Sequence, residues 1–246
     1  MIEFGCLARF FNPYENEAEF ATKNNFSLMQ VWYDRNGIDM RADQEDPIKL
    51  IKKHSFPTII HALLHIDEFN EHVPKLVEIL SELNHKELII HPFCKNEEIT
   101  SGTMDKLSAA VGYALYTLKS AGITLYMENN SKKTPIFTTV EEIRLILDRY
   151  PELEFLLDVA HIDDYAHLEE MVRIRKPKIL HVADRHLEVV HEHLPIGQGN
   201  IDFDYVFGKV LSDFDGKIIF EIVNEDQDIV RARDKIRSIL CRISHL

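Results

Sequence analysis

Residues 153–161 read Leu-Glu-Phe-Leu-Leu-Asp-Val-Ala-His, and the prediction of the fold starts from this stretch. The run Glu154–Leu157 is mostly apolar, which is typical of a strand buried on both faces in a parallel sheet covered by helices. Asp158 ends the apolar run, and His161 follows three residues later, where the strand gives way to a loop. An apolar run that ends in an ionisable residue recurs on both sides of this stretch.

Short apolar runs of this kind alternate with longer segments of helical period along the chain. Eight strands are predicted, at Ile2–Ala8, Ser27–Tyr33, Thr58–Leu64, Leu88–Phe93, Thr124–Met127, Glu154–Leu157, Ile179–Val182 and Ile218–Ile222. Eight strand-and-helix units in 246 residues average about 31 residues each, which favours a barrel over an open doubly wound sheet. No Gly-rich phosphate fingerprint follows the first strand, and no linker divides the chain. We therefore predict the α/β class, with residues 1–246 forming a single (β/α)8 TIM-barrel domain.

The segments between the strands carry one apolar stripe each, which predicts helices that pack on the outside of the barrel. Two local signals support their limits. Thr139 followed three residues later by Glu142 is typical of the start of a helix, and Gly122 before the fifth strand is typical of a helix end. The clearest stripes run from Phe69 to Leu83, from Leu107 to Leu118, from Val140 to Tyr150 and from Ile229 to Ile243.

The chain is acidic, with 41 Asp and Glu against 28 Lys and Arg and a formal net charge of -13. Nucleic-acid affinity comes largely from Lys and Arg that neutralise phosphates, so this charge argues against bulk attraction while leaving room for a local basic patch. Cys6, Cys94 and Cys241 are widely spaced, which indicates a reducing environment and no cysteine zinc site. No signal peptide or membrane-spanning run is found, so we expect a cytoplasmic protein with no membrane partner.

Six successive predicted strands, the third to the eighth, end in a histidine or a carboxylate. In a barrel these positions ring the C-terminal mouth, where active sites of this fold lie. Ionisable groups buried near one axis need partners or a cation. A mixed set of His, Asp and Glu suits Zn, Mn or Co better than Mg or Ca, so we predict a divalent transition metal, with one or more ions per chain. The six residues are His61, His91, Glu128, Asp158, His181 and Glu221.

A single strand-terminal His or carboxylate is more often a hydrogen-bonded core residue than a ligand. That structural reading stays open for His61 and His91. It is far less favoured for the other four residues, because four independent placements would have to coincide at one mouth.

Further histidines follow the seventh predicted strand, in a chain that has 13 His in all. Pro195, Gly197 and Gly199 fix a tight backbone course directly after His193, which predicts that His193 lies at the mouth with His191 nearby. No role is predicted for the other seven: His54, His65, His72, His85, His167, His186 and His245.

These motifs together resemble the xylose isomerase-like TIM-barrel superfamily, which contains sugar isomerases and epimerases and the endonuclease IV-type abasic-site nucleases. The matching stretches, in chain order, are Glu128-Asn-Asn, Asp158-Val-Ala-His161, His181-Val-Ala-Asp184, His193-Leu-Pro-Ile-Gly-Gln-Gly-Asn-Ile-Asp-Phe203 and Phe220-Glu221. The resemblance implies a barrel fold and a metal site along nearly the whole chain.

The epimerase branch implies that Glu128, Asp158, His181 and Glu221 hold one divalent cation. The two Glu residues would act from opposite faces of a bound ketose and move a proton through an enediolate, while the metal polarises the substrate oxygens. His161 would orient the substrate. Basic groups near the mouth are few, and of these we predict that Arg185 binds substrate.

The nuclease branch implies additional metal ligands, and His61, His91, His161 and His193 match their positions. Two features depart from that branch. His191 stands where the nuclease pattern has Asp, and Ala62-Leu63-Leu64 stands where the nuclease has an aromatic residue that inserts into DNA. Base flipping also needs a cationic groove, and basic groups at this mouth are few.

We therefore expect a divalent-metal-dependent isomerase or epimerase of small sugars. The alternative is an endonuclease IV-like phosphodiesterase acting on abasic DNA or a smaller phosphate ester, and a barrel that binds metal or sugar without turnover is the third reading. One tightly bound ion per chain favours the epimerase, whereas two or three favour the phosphodiesterase. A homo-oligomer is left open, because related barrels often form dimers.

Overall fold

The computed structural model describes residues 2–95 and 97–243. His245 lies outside the described residues, as do Met1, Asn96 and the two residues next to His245. Within the described part, no helix combines the length and the apolar character needed to cross a membrane.

One sheet of nine strands organises the chain, and eight of the strands form a closed parallel barrel. The first strand pairs in parallel with the second on one side and with the last on the other, so the sheet closes on itself. The strands are β1 (Glu3–Leu7), β2 (Leu28–Asp34), β3 (Gly37–Ile38), β4 (Thr58–His65), β5 (Glu87–Phe93), β6 (Thr124–Glu128), β7 (Glu154–Asp158), β8 (Ile179–Val182) and β9 (Lys217–Phe220). The predicted (β/α)8 TIM barrel is confirmed. The two-residue β3, which pairs antiparallel with the end of β2, was not expected from the sequence.

Helices cover the outside of the barrel between successive strands. They are α1 (Tyr14–Lys23), α2 (Pro47–His54), α3 (Phe69–Leu83), α4 (Ser101–Lys119), α5 (Val140–Arg149), α6 (Tyr165–Ile174), α7 (Phe203–Tyr205) and α8 (Asp226–Ile243). The predicted start of α5 is confirmed, since Thr139 Oγ1 accepts a hydrogen bond from the backbone of Glu142, whose carboxylate accepts one from the backbone of Thr139. Gly122, after α4, has a φ of +64°, as expected where a helix ends.

The inside of the barrel is filled by two layers that follow the alternation of side chains along each strand. The lower layer is apolar and consists of Leu28, Ile59, Ile89, Tyr126, Leu156, Ile179 and Ile219. The residue two positions further along a strand points to the same side, so it lies directly above the first. Those residues are all polar: Gln30, His61, His91, Glu128, Asp158, His181 and Glu221. We call this second set the polar ring.

The remaining barrel strand, β1, supplies no polar group to the ring. On β1 the corresponding positions are Gly5 and Leu7, and a Cβ at Gly5 would lie 2.9 Å from the Leu28 side chain in the lower layer. The polar ring therefore has seven members on eight strands, and it lies on top of a closed apolar floor.

Candidate metal centre at the barrel mouth

The polar ring is buried although six of its seven members, all except Gln30, are histidines or carboxylic acids. Glu128 and Asp158 have no exposed surface, and Glu221 is 6% exposed. His61 and His181 are fully buried, and His91 is 12% exposed. Buried carboxylates need hydrogen bonds, counter-charges or a metal ion to offset their lost hydration.

Four members of the ring converge on one point. One ligand atom from each of Glu128, Asp158, His181 and Glu221 lies within 4.8 Å of the others. His181 Nδ1 lies 3.4 Å from Glu128 Oε1 and 3.5 Å from Glu221 Oε1. Two ligand atoms about 2.0–2.1 Å from a tetrahedral zinc would be separated by roughly 3.4 Å, so the observed spacing suits ligands of a common ion.

Unpartnered atoms in this quartet provide a second test of the fit. Both carboxylate oxygens of Glu128 and Nδ1 of His181 are buried and have no hydrogen-bond partner. Buried polar atoms without partners are rare in folded proteins and call for an explanation. A divalent cation held by these atoms supplies one, so the residues present fit a metal ion.

The charges of the ring members favour ionised carboxylates. Burial opposes ionisation of Glu128, but His91, His181 and His61 outweigh it and hold the pKa of this carboxyl well below its usual value. Burial likewise opposes ionisation of Glu221, and here His181, His193 and His61 lower the pKa. Both carboxylates are therefore in the form that binds a cation.

Asp158 is held by its own loop and by the residue after Glu128. Its backbone N–H donates to Asn129 Oδ1 at 2.7 Å, and its Oδ1 accepts from the backbone of Ala160 at 2.6 Å. This leaves Oδ2 to face His193 Nε2 at 3.2 Å and His161 Nδ1 at 3.4 Å. Asn129, which sequence reasoning missed, thus holds the backbone of Asp158, while the bond from Ala160 orients its carboxylate.

His161 is buried beside Asp158 in a 3-10 turn, Val159–His161, that follows β7. Its Nδ1 lies 2.9 Å from the backbone carbonyl of Asn129 and therefore donates to it. Burial lowers the pKa of this histidine. In the neutral ring Nε2 is then unprotonated, and this buried atom has no partner.

The loop after β8 brings His193 to the ring, as the sequence predicts. Asp184 organises the loop, because its carboxylate accepts from the backbone of Gly197 at 2.6 Å and of Ile201 at 3.1 Å. His193 Nε2 lies 3.2 Å from Asp158 Oδ2 and 3.3 Å from Glu221 Oε2. The loop therefore supplies a partner to two carboxylates of the quartet.

Gly199 lies where the loop backbone passes close to Arg185. A Cβ at this position would meet backbone atoms of Arg185 at 2.5 Å. Gly199→Ala is therefore expected to lower the free energy of unfolding by about 1–3 kcal/mol, because the two backbone segments must separate. Thermal unfolding of the variant measures this loss.

The matched control is Gly102→Ala in α4, where the nearest atom to a new Cβ is Thr100 Oγ1 at 3.6 Å. Alanine favours a helix over glycine, so this variant is expected to be as stable as the parent or slightly more so. Equal unfolding temperatures for the two variants would show that the close approach at Gly199 does not matter.

Arg185 lies in the same loop, and its guanidinium donates hydrogen bonds to backbone carbonyls of the protein. Its NH1 donates to the carbonyls of Val189 and Val190 at 2.9 and 3.0 Å, and its NH2 donates to the carbonyl of Ile162. Only 3% of the residue is exposed. The geometry does not support the predicted role in substrate binding, since both terminal nitrogens already hold the loop in place.

The remaining predicted residues form two further groups next to the quartet. His61, His91 and Glu128 bring ligand atoms within 4.8 Å of one another, and so do His161, His191 and His193. The His191 ring stacks on that of His161 with centroids 5.2 Å apart. Burial, His193 and His161 lower the pKa of His191 to about 4, so it is neutral near pH 7. The structure thus brings together every histidine that the sequence predicts at the mouth.

Comparison with known proteins assigns the chain to a family. The family model described as xylose isomerase-like TIM barrel matches residues 19–239, which is most of the chain. The chain belongs to the xylose isomerase-like TIM barrel family. The resemblance inferred from the sequence motifs is therefore confirmed. No curated protein matches the chain.

Solved structures of this fold show how members of the xylose isomerase-like family compare with the chain. A D-tagatose 3-epimerase-like protein is 20% identical and superimposes with a TM-score of 0.78, covering 99% of this chain and 98% of the other. An L-ribulose 3-epimerase is 17% identical, with a TM-score of 0.77 and coverage of 100% and 96%. The IolI protein, solved with a zinc atom, is 11% identical, with a TM-score of 0.78 and coverage of 98% and 99%.

Proposed function

We propose that this member of the family is a divalent-metal-dependent sugar isomerase or epimerase, with residues 1–246 forming a single catalytic domain. The observation that carries the proposal is the buried quartet of Glu128, Asp158, His181 and Glu221, whose ligand atoms lie within 4.8 Å of one another. Similarity to sugar 3-epimerases and to a zinc-containing protein of the same fold supports it. Zn, Mn or Co is the expected metal.

The proposed reaction moves a proton between the two faces of a bound ketose. When bound, the metal would polarise the carbonyl and hydroxyl oxygens of the substrate. One of Glu128 and Glu221 then removes the proton from the carbon next to the carbonyl, and the electron pair of the broken C–H bond forms the double bond of an enediolate. The other Glu must first take up a proton from water, which it delivers to the same carbon from the opposite face while the carbonyl forms again. The first Glu then releases the proton that it removed to water, so both residues return to the carboxylate form.

His161 is proposed to orient the substrate rather than to hold a loop. Its Nε2 is buried without a partner, and its Nδ1 is already used by the carbonyl of Asn129. A neutral imidazole with a free Nε2 can accept a hydrogen bond from a substrate hydroxyl. We assign Arg185 no contact with substrate, because its terminal nitrogens hold Val189, Val190 and Ile162.

The rest of the substrate is proposed to extend along β4 and β5, which continue beyond His61 and His91 at the mouth. Leu63 and Phe93 lie two residues beyond His61 and His91, on the same face of β4 and β5, and they line a cavity of about 510 Å³. Arg35 and Lys95 line it together with the carboxylates of Asp34 and Glu68. The balance of charges there suits an uncharged polyol.

Two assays on the same metal-loaded protein test the proposal. Solvent deuterium uptake into a panel of ketoses measures proton exchange at carbon, and incision of an abasic-site duplex measures phosphodiesterase activity. We expect exchange with at least one ketose and no incision. Clean incision without exchange would overturn the epimerase proposal.

The alternative function, an endonuclease IV-like phosphodiesterase on abasic DNA or a smaller phosphate ester, has one observation in its favour. The groups of His61, His91 and Glu128 and of His161, His191 and His193 could hold additional ions, as a multi-metal phosphodiesterase requires. Nucleic acid is a partner only under this alternative. A cytoplasmic location and a homo-oligomeric assembly stay predictions from the sequence.

A further inference from the structure

Gln30 is the one member of the polar ring that cannot carry a charge, and it contacts three of the others. It is fully buried. One end of its amide lies 3.0 Å from His61 Nδ1 and 2.8 Å from Glu221 Oε1, and the other end lies 2.8 Å from His181 Nε2. Gln30 therefore contacts two histidines and one carboxylate of the ring through a single amide group.

The chemistry of Glu221 fixes which end of the amide is which. An ionised carboxylate can only accept hydrogen bonds, so the end of Gln30 that faces Glu221 must be the NH2 group. The carbonyl oxygen of Gln30 must then face His181. The orientation of the amide thus follows from its neighbours and needs no view of the hydrogen atoms.

His181 is consequently protonated on Nε2, because a carbonyl oxygen faces this atom. In the neutral ring Nδ1 then has a free lone pair. This Nδ1 is the unpartnered atom that faces Glu128 and Glu221 in the quartet. A hydrogen bond from the second ring nitrogen commonly fixes a metal-binding histidine in this manner.

His61 has the opposite arrangement, because the NH2 group of Gln30 faces its Nδ1. The neutral ring must accept there and so carries its hydrogen on Nε2. The charged ring also carries a hydrogen on Nε2. In either form Nε2 of His61 carries a hydrogen and has no free lone pair, and Glu128 Oε2 lies 2.8 Å from this nitrogen.

We infer that Gln30 is a positioning residue that leaves Nδ1 of His181 free to bind the metal and keeps a hydrogen on Nε2 of His61. This nitrogen of His61 then has no lone pair for a metal, so the group of His61, His91 and Glu128 holds no second metal ion. The inference rests on the metal centre of the proposed function but not on its reaction. It gives His61 a defined task, which is to place an N–H group, and not a lone pair, beside the carboxylate of Glu128.

The first test uses the full chain labelled with 15N and loaded with zinc. After dialysis, elemental analysis is expected to give one zinc per chain. Long-range 1H–15N spectra of the histidine rings are expected to show hydrogen on Nε2 of both His61 and His181, with zinc on Nδ1 of His181. His61→Ala is expected to keep its zinc, and His181→Ala is expected to lose it. Two zinc ions per chain, with no hydrogen on Nε2 of His61, would overturn the inference.

Two variants of Gln30 separate its hydrogen bonds from its volume. Gln30→Met removes all three polar contacts of the amide at similar side-chain size, and we expect zinc to bind about 10–100-fold more weakly with the number of zinc ions per chain unchanged. Gln30→Glu places a carboxylate oxygen, which accepts a hydrogen bond, beside His61 Nδ1. The hydrogen of the neutral ring then lies on Nδ1, Nε2 has a free lone pair, and we expect this variant to bind a second zinc. A folded Gln30→Glu protein that binds one zinc, or Gln30→Met with unchanged affinity, would contradict the assigned role.

The exposed Gln44 provides the control, since Gln44→Met should bind zinc as the parent does. If the Gln30 variants fail to fold, the ring spectra of the parent protein decide alone. Failure of the proposed function gives a different result from failure of this inference. A protein with one zinc and these tautomers but no deuterium exchange would contradict the proposed reaction and would leave the role of Gln30 unchanged.

Discussion

Glu128→Gln is expected to lower the rate of solvent deuterium uptake into a ketose roughly 1,000-fold. The substitution keeps the size of the side chain but removes the base and one charge of the quartet. Glu128 also faces His61, His91 and His181, so the loss affects proton transfer and metal binding together. The exchange rate is measured on protein with saturating metal, and Glu221→Gln is expected to behave alike, because the mechanism needs a base on each face.

The matched control for this experiment is Glu87→Gln, a substitution of the same kind at the opposite end of the barrel. Glu87 begins β5, where it accepts from Tyr126 Oη and pairs with Lys217. This variant is expected to keep the exchange rate of the parent. Full exchange activity in Glu128→Gln or in Glu221→Gln would eliminate the two-base mechanism.

Saturating Zn, Mn or Co is expected to raise the midpoint of thermal unfolding by roughly 10 °C, the effect of an ion about 1,000-fold above its Kd on a chain of this size. The physical reason is that the folded chain gathers three buried carboxylates, whereas the unfolded chain has no such site. Asp158→Asn is expected to remove most of this rise, since it takes one charge from the quartet. Calorimetry with and without the ion measures both effects.

Asp164→Asn is the control, because Asp164 begins α6, where its side chain accepts from the backbone of His167 at 2.8 Å. Asn caps a helix about as well as Asp, so this variant should show the full rise with metal. A rise of the same size in Asp158→Asn would mean that the ion binds outside the quartet.

The barrel could be predicted because its strands are short, apolar and regularly spaced, and because six of the eight predicted apolar runs close with a His or a carboxylate. The predicted limits differ from those of the structure by a few residues at most. For example, β6 and β7 include Glu128 and Asp158, whereas β9 ends at Phe220, one residue before Glu221. Whether a polar side chain points into the barrel depends on the alternation of inward and outward side chains along its strand, and this alternation can be read from the sequence.

Gln30 was missed although the sequence contains a signal for it. It is the one polar residue in the run Leu28–Tyr33, and it follows Leu28 by the same two-residue step that leads from Ile59 to His61. An amide is a poor metal ligand, so a search for ligands passes over it. Its importance depends on distances across the barrel to His61, His181 and Glu221, which one strand alone cannot reveal.

Other differences arise from polar side-chain contacts, which the spacing of apolar residues does not display. Helix α1 buries Glu17 at 1% exposure, and this carboxylate accepts from the guanidinium of Arg9 at 2.8 Å. A buried Glu weakens the apolar stripe that predicts a helix. Arg185 is a similar case, because it was predicted to bind substrate as one of the few basic residues near the mouth, whereas its NH1 donates to carbonyls of its own loop.

The apolar floor beneath the polar ring leaves the ring accessible from the C-terminal mouth of the barrel alone. Seven close-packed side chains from Leu28 to Ile219 close the lower end, so a molecule that reaches the ring must leave by the way it entered. Product and incoming substrate then compete for the same passage and the same contacts. The expected kinetic result is that product inhibits competitively, with an inhibition constant close to its own Michaelis constant in the reverse reaction.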